Sequence, residues 1–230
     1  MEYCVICLWE KADRKVQDMV EVKNLNLYLK KKFILKDMSF TVENGRICGF
    51  VGGNGSGKTM LMKCISGLIP ATEGEIIIDG LRIGRDVDFP EELGLMIETP
   101  EFVDYMSGYQ NLKALAAYRN RIGKERIREV LTEVGLNPKM KRSVKKYSLG
   151  MRQRLGIAQA IMEEPKLLIL DEPFNSLDDK GVMWLREWLL RYKAQGKSVL
   201  LSSHNKEDIR VLCDMVICLK EGEIEDITQV

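Results

Sequence analysis

The run Gly52-Gly53-Asn54-Gly55-Ser56-Gly57-Lys58-Thr59 has the residue types and spacing needed to hold phosphate. It matches GxxxxGK[ST] and lies where that pattern has to lie, between an apolar run and a stretch with helical spacing. Glycines let the chain wrap closely around an anion so that successive backbone N–H groups point inward, and the helix N-terminus that follows adds partial positive charge. Gly52, Asn54, Gly55, Ser56 and Gly57 would shape this cradle. Lys58 would bridge the β- and γ-phosphates of a nucleotide, and Thr59 would offer its hydroxyl to Mg²⁺. A second group of residues supplies the rest of the chemistry. Leu167-Leu168-Ile169-Leu170-Asp171-Glu172 is an apolar strand ending in two carboxylates, and ligands of open α/β sheets collect at that end of a strand. Asp171 fits the Mg²⁺ partner of the loop, and Glu172 can polarise an attacking water as general base.

These groups need rigid elements behind them. Val20 to Leu27 and Phe33 to Val42 read as two strands around a Lys30-Lys31-Lys32 turn, and Arg46 to Val51 as a buried strand entering the glycine-rich loop. A helix is expected from Gly57 to Ser66, then strand-like runs at Glu75 to Asp79 and Leu93 to Ile97. Asn111 to Gly135 alternates apolar and charged residues at helical spacing, with a break near Gly123. A helix from Leu149 to Met162 precedes the apolar strand. A helix from Lys180 to Lys193, a strand from Lys197 to Leu201 and short βαβ-like elements to Ile224 follow it. Strand, helix, strand alternation implies an α/β fold with a parallel sheet.

The order of further segments carries a resemblance. Between the two nucleotide motifs stands Tyr147-Ser148-Leu149-Gly150-Met151-Arg152-Gln153-Arg154, which resembles the ABC transporter signature in a variant form. Asn175-Ser176-Leu177-Asp178 looks like the D-loop, and Leu201-Ser202-Ser203-His204 like the switch loop. From about Val20 to Ile227 the chain is similar to the ATP-binding cassettes of ABC transporters. The resemblance implies a P-loop NTPase (RecA-like) core, an N-terminal antiparallel β subdomain and a helical signature-motif lobe over about residues 99–160. It also implies a head-to-tail dimer in which each ATP lies between the glycine-rich loop of one cassette and the signature of the other. Ser148 would then offer a hydroxyl, Gly150 close backbone approach, and the helix starting near Leu149 its positive end to the γ-phosphate. His204 would hydrogen-bond the γ-phosphate and hold the attacking water, and Asp178 would organise the interface.

Two positions depart from the family pattern. The place of the usual adenine-stacking aromatic aligns with Leu29, which leaves Tyr28, placed ahead, or Phe33. The glutamine expected after the strand at Leu93 to Ile97 is Glu98, a candidate Mg²⁺ neighbour or else a solvated loop carboxylate. Glu98 and the Ser148-Leu149-Gly150-Met151 signature resemble the cassettes of bacteriocin, lantibiotic and related peptide export or self-immunity systems.

Composition narrows the alternatives. The 230 residues fit one large domain, with Lys+Arg 35 against Asp+Glu 34, 45% hydrophobic and 30% charged residues. That balance suits an ordinary globular protein and not a general nucleic-acid binder. The apolar runs at Leu167 to Leu170 and Met215 to Leu219 fall far short of the roughly 20 residues that cross a bilayer. The resemblance then implies a location at the cytoplasmic face of the membrane, through a separately encoded permease. Six scattered cysteines are expected to be free thiols. Residues 1–18, with Cys4 and Cys7, are expected to be an appendage ahead of a domain at 19–230, and Met19 is a candidate start. Lys139, Lys141, Arg142, Lys145 and Lys146 read as a solvated face or a phosphate attractor. Trp184 and Trp188 read as core packing or a partner surface. A soluble ABC ATPase acting on ribosomes or DNA would be expected to carry two cassettes or a long insertion. A regulatory protein without turnover would be expected to lack Lys58, Glu172 or His204.

Overall fold

Leu167–Leu170 holds four buried apolar residues in succession, the pattern of a strand covered on both faces. The computed structural model describes residues 18–30 and 32–230 and sets this segment inside a six-stranded sheet. In chain order the elements are β1 (Asp18–Leu29), β2 (Lys32–Glu43), β3 (Ile47–Val51), α1 (Lys58–Ile65), β4 (Glu73–Ile78), β5 (Leu81–Arg82), β6 (Leu93–Met96), α2 (Gly108–Arg119), α3 (Lys124–Glu133), α4 (Leu149–Ile161), β7 (Leu167–Leu170), α5 (Asp179–Ala194), β8 (Ser198–Ser202), α6 (Lys206–Leu212), β9 (Met215–Lys220) and β10 (Glu223–Gln229). The large sheet has the order β10-β9-β3-β8-β7-β6, with every pair parallel except β9 with β10. A smaller sheet, β2-β1-β4-β5, is antiparallel throughout.

The period-2 geometry of the buried strands divides the core. Leu168, Leu170, Val199 and Leu201 face one way, onto Leu155 and Ile161 of α4 and Leu185 and Leu189 of α5. Leu167, Ile169 and Leu200 face the other way, toward Leu61, Met62 and Ile65 of α1 and toward Val20, Leu25 and Phe40 of the small sheet. The helical part between β6 and β7 is nucleated at Ser107. Its hydroxyl accepts from the Gln110 amide while the Gln110 side chain accepts from the Ser107 amide, a reciprocal cap that starts α2. Asn120 ends that helix in a left-handed turn, three residues before the expected break at Gly123.

Two expectations about packing resolve differently. The chain after β8 does continue as strand, helix, strand through α6 to β9, but β10 turns back antiparallel. Only Glu221 and Gly222 separate it from β9, both with positive φ (51° and 83°), which is a tight hairpin turn and far too short for a crossover. Trp188 is buried and Trp184 packs partly buried against the same core, so the tryptophan pair belongs to the interior. Cys48, Cys64 and Cys213 are buried free thiols and Cys218 a partly buried one. Burial pushes Cys64 up to about 11 and Cys213 up to about 12, which keeps them protonated and unreactive. The five basic residues from Lys139 to Lys146 are all exposed. Most of the expected appendage, with Cys4 and Cys7, lies outside the described residues, and β1 begins at Asp18. No helix among the described residues is long and apolar enough to cross a membrane.

The contact of α4 with the sheet leaves no room at Gly94 of β6. A Cβ there would stand 2.1 Å from the Ala160 carbonyl oxygen and 2.6 Å from the Leu168 side chain. Gly94→Ala is therefore expected to destabilise the fold by about 1–3 kcal/mol. The denaturation midpoint should drop with little change in m-value.

Candidate functional site

The glycine-rich loop begins where β3 ends and closes against α1. Gly52 has φ 153°, and a Cβ there would lie 2.3 Å from the Leu219 carbonyl and 2.6 Å from Ser56 Oγ. Only glycine fits this entry to the loop. Gly57, at φ 108°, leads into α1 without a side-chain cap, so the first backbone N–H groups of the helix are left to an outside acceptor. The Ser56 hydroxyl is buried beside Gly52 and has no hydrogen-bond partner. Lys58 is buried, and its Nζ donates to the carbonyls of Gly52 (2.8 Å) and Gly53 (3.1 Å). The ammonium is thereby held at the loop itself, next to the helix end.

Asp171 and Glu172 arrive from β7. On a continuous strand they would point to opposite faces. Glu172 instead takes φ 50°, and both side chains line one cavity of about 490 Å³ with Ile34, residues Asn54 to Met60 and His204. The Asp171 carboxylate is held by two hydroxyls: Thr59 Oγ1 donates to Oδ2 at 2.7 Å and Ser202 Oγ to Oδ1 at 2.6 Å. Ser202 Oγ also accepts from the Glu172 amide at 2.9 Å. The Gln153 side chain donates to the Glu172 and Pro173 carbonyls at 3.2 and 2.9 Å and so braces the same turn from α4. The His204 amide donates to Glu172 Oε2 at 3.3 Å. Its Nε2 lies 3.0 Å from Oε1, yet Oε1 is buried and receives no directed hydrogen bond. The two groups are close but not locked together. Burial raises the Glu172 pKa, the charge on His204 and its amide hydrogen bond oppose that, and the neighbouring Asp171 adds to the rise.

The oxygen donors fit Mg²⁺. A hard cation takes carboxylate and hydroxyl oxygens and completes its shell from phosphate and water. Thr59 and Asp171 provide such a pair. Among the described residues no three of His, Cys, Asp or Glu are grouped as a metal cage. Glu98 lies on the adjoining wall, in a hollow that it lines with Asp171, Glu172 and Gln153. Its carboxylate is paired with Lys63 Nζ at 2.7 Å, and its φ is 59°.

Four sequence-predicted residues stand apart from the cavity. Tyr28 packs edge-on against Phe33, ring centroids 5.1 Å apart, and does not line the cavity. Ser148 caps α4, its hydroxyl accepting from the Met151 amide. A Cβ on Gly150 would lie 2.7 Å from the Ser176 carbonyl, so the signature segment and the D-loop touch within this chain. Asp178 accepts from Arg154 at 2.6 Å, which holds its carboxyl below the usual range. Ser202, Gln153 and Lys63 support the site without having been given roles from the sequence. Ser202, two residues before His204 in the switch-like segment, and Gln153, inside the signature-like run, carried a local signal, and Lys63 carried none.

The ABC transporter family model matches residues 35–175. The chain is 43% identical to the ABC transporter ATP-binding protein YybJ of Bacillus subtilis, covering 90% of this chain and 95% of that protein. It is 37% identical to the lantibiotic transport ATP-binding protein SrtF of Streptococcus pyogenes, covering 90% and 89%. Its fold superposes with TM-score 0.82 on a dimeric ATP-binding cassette in a post-hydrolysis state bound to ADP and Pi, over 92% of this chain and 98% of that one at 23% identity.

Lys58→Ala removes the one cation at the loop. ATP affinity should fall about 10- to 100-fold, the worth of hydrogen bonds to a charged group. Equilibrium nucleotide titration measures it, and circular dichroism should remain that of the wild type.

Proposed function

This chain belongs to the ABC transporter family as an ATP-binding subunit and is an ATPase, and from that premise we propose that its ATP cycle drives a separately encoded membrane permease. The observation that carries the reading is the meeting of Lys58, Thr59, Asp171, Glu172 and His204 around one cavity. The N–H groups of the 52–59 loop and the end of α1 bind the β- and γ-phosphates, with the Lys58 ammonium between them. Mg²⁺, when bound, would neutralise phosphate charge; Thr59 and Asp171 would hold it, and Glu98, paired with Lys63, would be its neighbour from the next hollow. Glu172, made more basic by burial, orients the attacking water and takes its proton. His204 donates to the γ-phosphate. Tyr28, an exposed aromatic near the end of β1, is assigned to the adenine.

Ser148, Gly150 and Asp178 act on the nucleotide of a second cassette, identical or paralogous. Their positions away from this chain's own cavity, with Ser148 and Leu149 exposed at the start of α4, support a head-to-tail dimer. The dimeric assembly of the similarly folded cassette supports it as well. Closure of that dimer passes to the permease through Thr99 to Tyr109, at the cytoplasmic face of the membrane. Residues 19–230 form the ATP-binding domain, with the helical lobe at about 99–160, and residues 1–18 take no part in the chemistry. The transported class is an antimicrobial peptide, exported or expelled in self-immunity. Support comes from the lantibiotic transport relative and from Glu98 with the variant signature.

Glu172→Gln keeps the shape of the site and removes its base. ATP hydrolysis should fall by roughly 10²-fold or more while ATP still binds. Size-exclusion chromatography in Mg-ATP should then yield a dimer that Ser148→Glu abolishes. A monomer in every condition, including with permease supplied, counts against the sandwich.

A further inference from the structure

Among the described residues, one buried ion pair lies outside the chemistry assigned so far. Asp208 of α6 is 1% exposed, and its Oδ1 accepts from Arg186 Nε at 2.8 Å and Nη2 at 2.5 Å. Its Oδ2 accepts from Ser203 Oγ at 2.9 Å. Ser203 Oγ in turn accepts from the Asn205 amide at 3.1 Å, and the Asn205 side chain caps α6 at the Glu207 amide. The residue between Ser203 and Asn205 is His204. Both of its chain neighbours are therefore fastened to the Asp208 carboxylate, one directly and one through the serine hydroxyl.

The imidazole's own contacts are weaker. His204 is exposed, its amide reaches Glu172 at 3.3 Å, and its Nε2 approaches Oε1 without a directed hydrogen bond. A side chain held so loosely in front takes its direction from the backbone behind it. Consecutive serines divide the work: Ser202 turns to Asp171 and Glu172, and Ser203 turns to Asp208. Arg186 stands about two helical turns along α5 from Asp178, so the helix that begins at the D-loop is joined to the loop that carries His204.

We infer that the Arg186–Asp208 pair, acting through Ser203, positions His204 for the γ-phosphate and couples its placement to α5. The inference rests on the reading of His204 as a γ-phosphate contact. Arg186 and Asp208 are positioning residues and touch no substrate. Buried charge pairs suit this role because, away from water, their geometry is strict and a misplaced partner is left unsolvated.

The chain has a single histidine, so the imidazole signals of a ¹⁵N-labelled sample report on His204 alone. In the wild type those signals should move on addition of Mg²⁺ and a non-hydrolysable ATP analogue. Arg186→Met should displace or broaden them before nucleotide is added and reduce their response to it. Its kcat should fall about 10- to 100-fold, as for a catalytic group misplaced by an ångström, with KM for ATP changed less than about threefold. Arg186→Lys, which keeps the charge but not the fork, should lie between. Where Arg186→Met does not fold by circular dichroism, Asp208→Asn, which keeps the shape and the acceptor for Ser203, should give the same split between kcat and KM. Wild-type imidazole signals and kcat in the folded variants overturn the positioning role. Wild-type signals that ignore nucleotide overturn instead the placement of His204 at the phosphate.

Discussion

The Asp171 carboxylate, held between the hydroxyls of Thr59 and Ser202, is the interaction on which the rest of the site depends. Those hydroxyls come from α1 and from the end of β8, and Asp171 itself follows β7. Three segments far apart in sequence must end at the same height of the sheet for the contact to form. Strand order makes this possible. β8 lies between β3 and β7, so the loop leaving β3, the carboxylate leaving β7 and the serine closing β8 emerge side by side. The all-apolar interior of β7 and β8 fixes that register, because a shift by one residue would exchange the sets that face α4 and α1.

Part of the backbone strain among the described residues lies around the site. Glu98, Glu172 and Ser176 are non-glycine residues with φ of 59°, 50° and 63°, each costing about 1–3 kcal/mol. At Glu172 the left-handed turn is what brings a second carboxylate beside the first. Hydrogen bonds from its amide to Ser202 and from Gln153 to the carbonyls of the turn hold it in place. Gln153 belongs to α4, the helix capped by Ser148, so the turn that aims the general base is supported by the signature helix. The conformation of the helical part and the aim of Glu172 are thereby linked by direct contact.

The phosphate loop and the strand ending in carboxylates were legible in the sequence because each is a contiguous run whose neighbours in the chain are also its neighbours in space. The parallel sheet followed from alternation, and the presence of the helices from apolar periodicity, with α2 starting three residues before the expected Asn111. Contacts across long separations were not legible. Ser202 and Asp171 are 31 residues apart, Lys63 and Glu98 35, and Arg186 and Asp208 22, and no local pattern marks such pairs. The left-handed turn at Glu172 contradicts the alternation expected of a strand end, so the convergence of both carboxylates was inferred from motif and not from geometry. The β9–β10 hairpin was missed although Glu221-Gly222 is a turn signal, because the preceding alternation was extended past it. The assignment of Tyr28 rests on its aromatic ring and its place beside Leu29, and that ring packs on Phe33, the other candidate.

The 52–59 loop binds ATP, and Thr59 and Asp171 would add a metal to it. Calorimetric titration of ATP into the wild type and into Asp171→Asn, each with Mg²⁺ and with a chelator, separates these two contributions. Mg²⁺ should tighten binding to the wild type, Asp171→Asn should lose most of that gain, and the two proteins should bind metal-free ATP alike. An equal Mg²⁺-dependent gain in both would contradict the assignment of Asp171 and the site built around it.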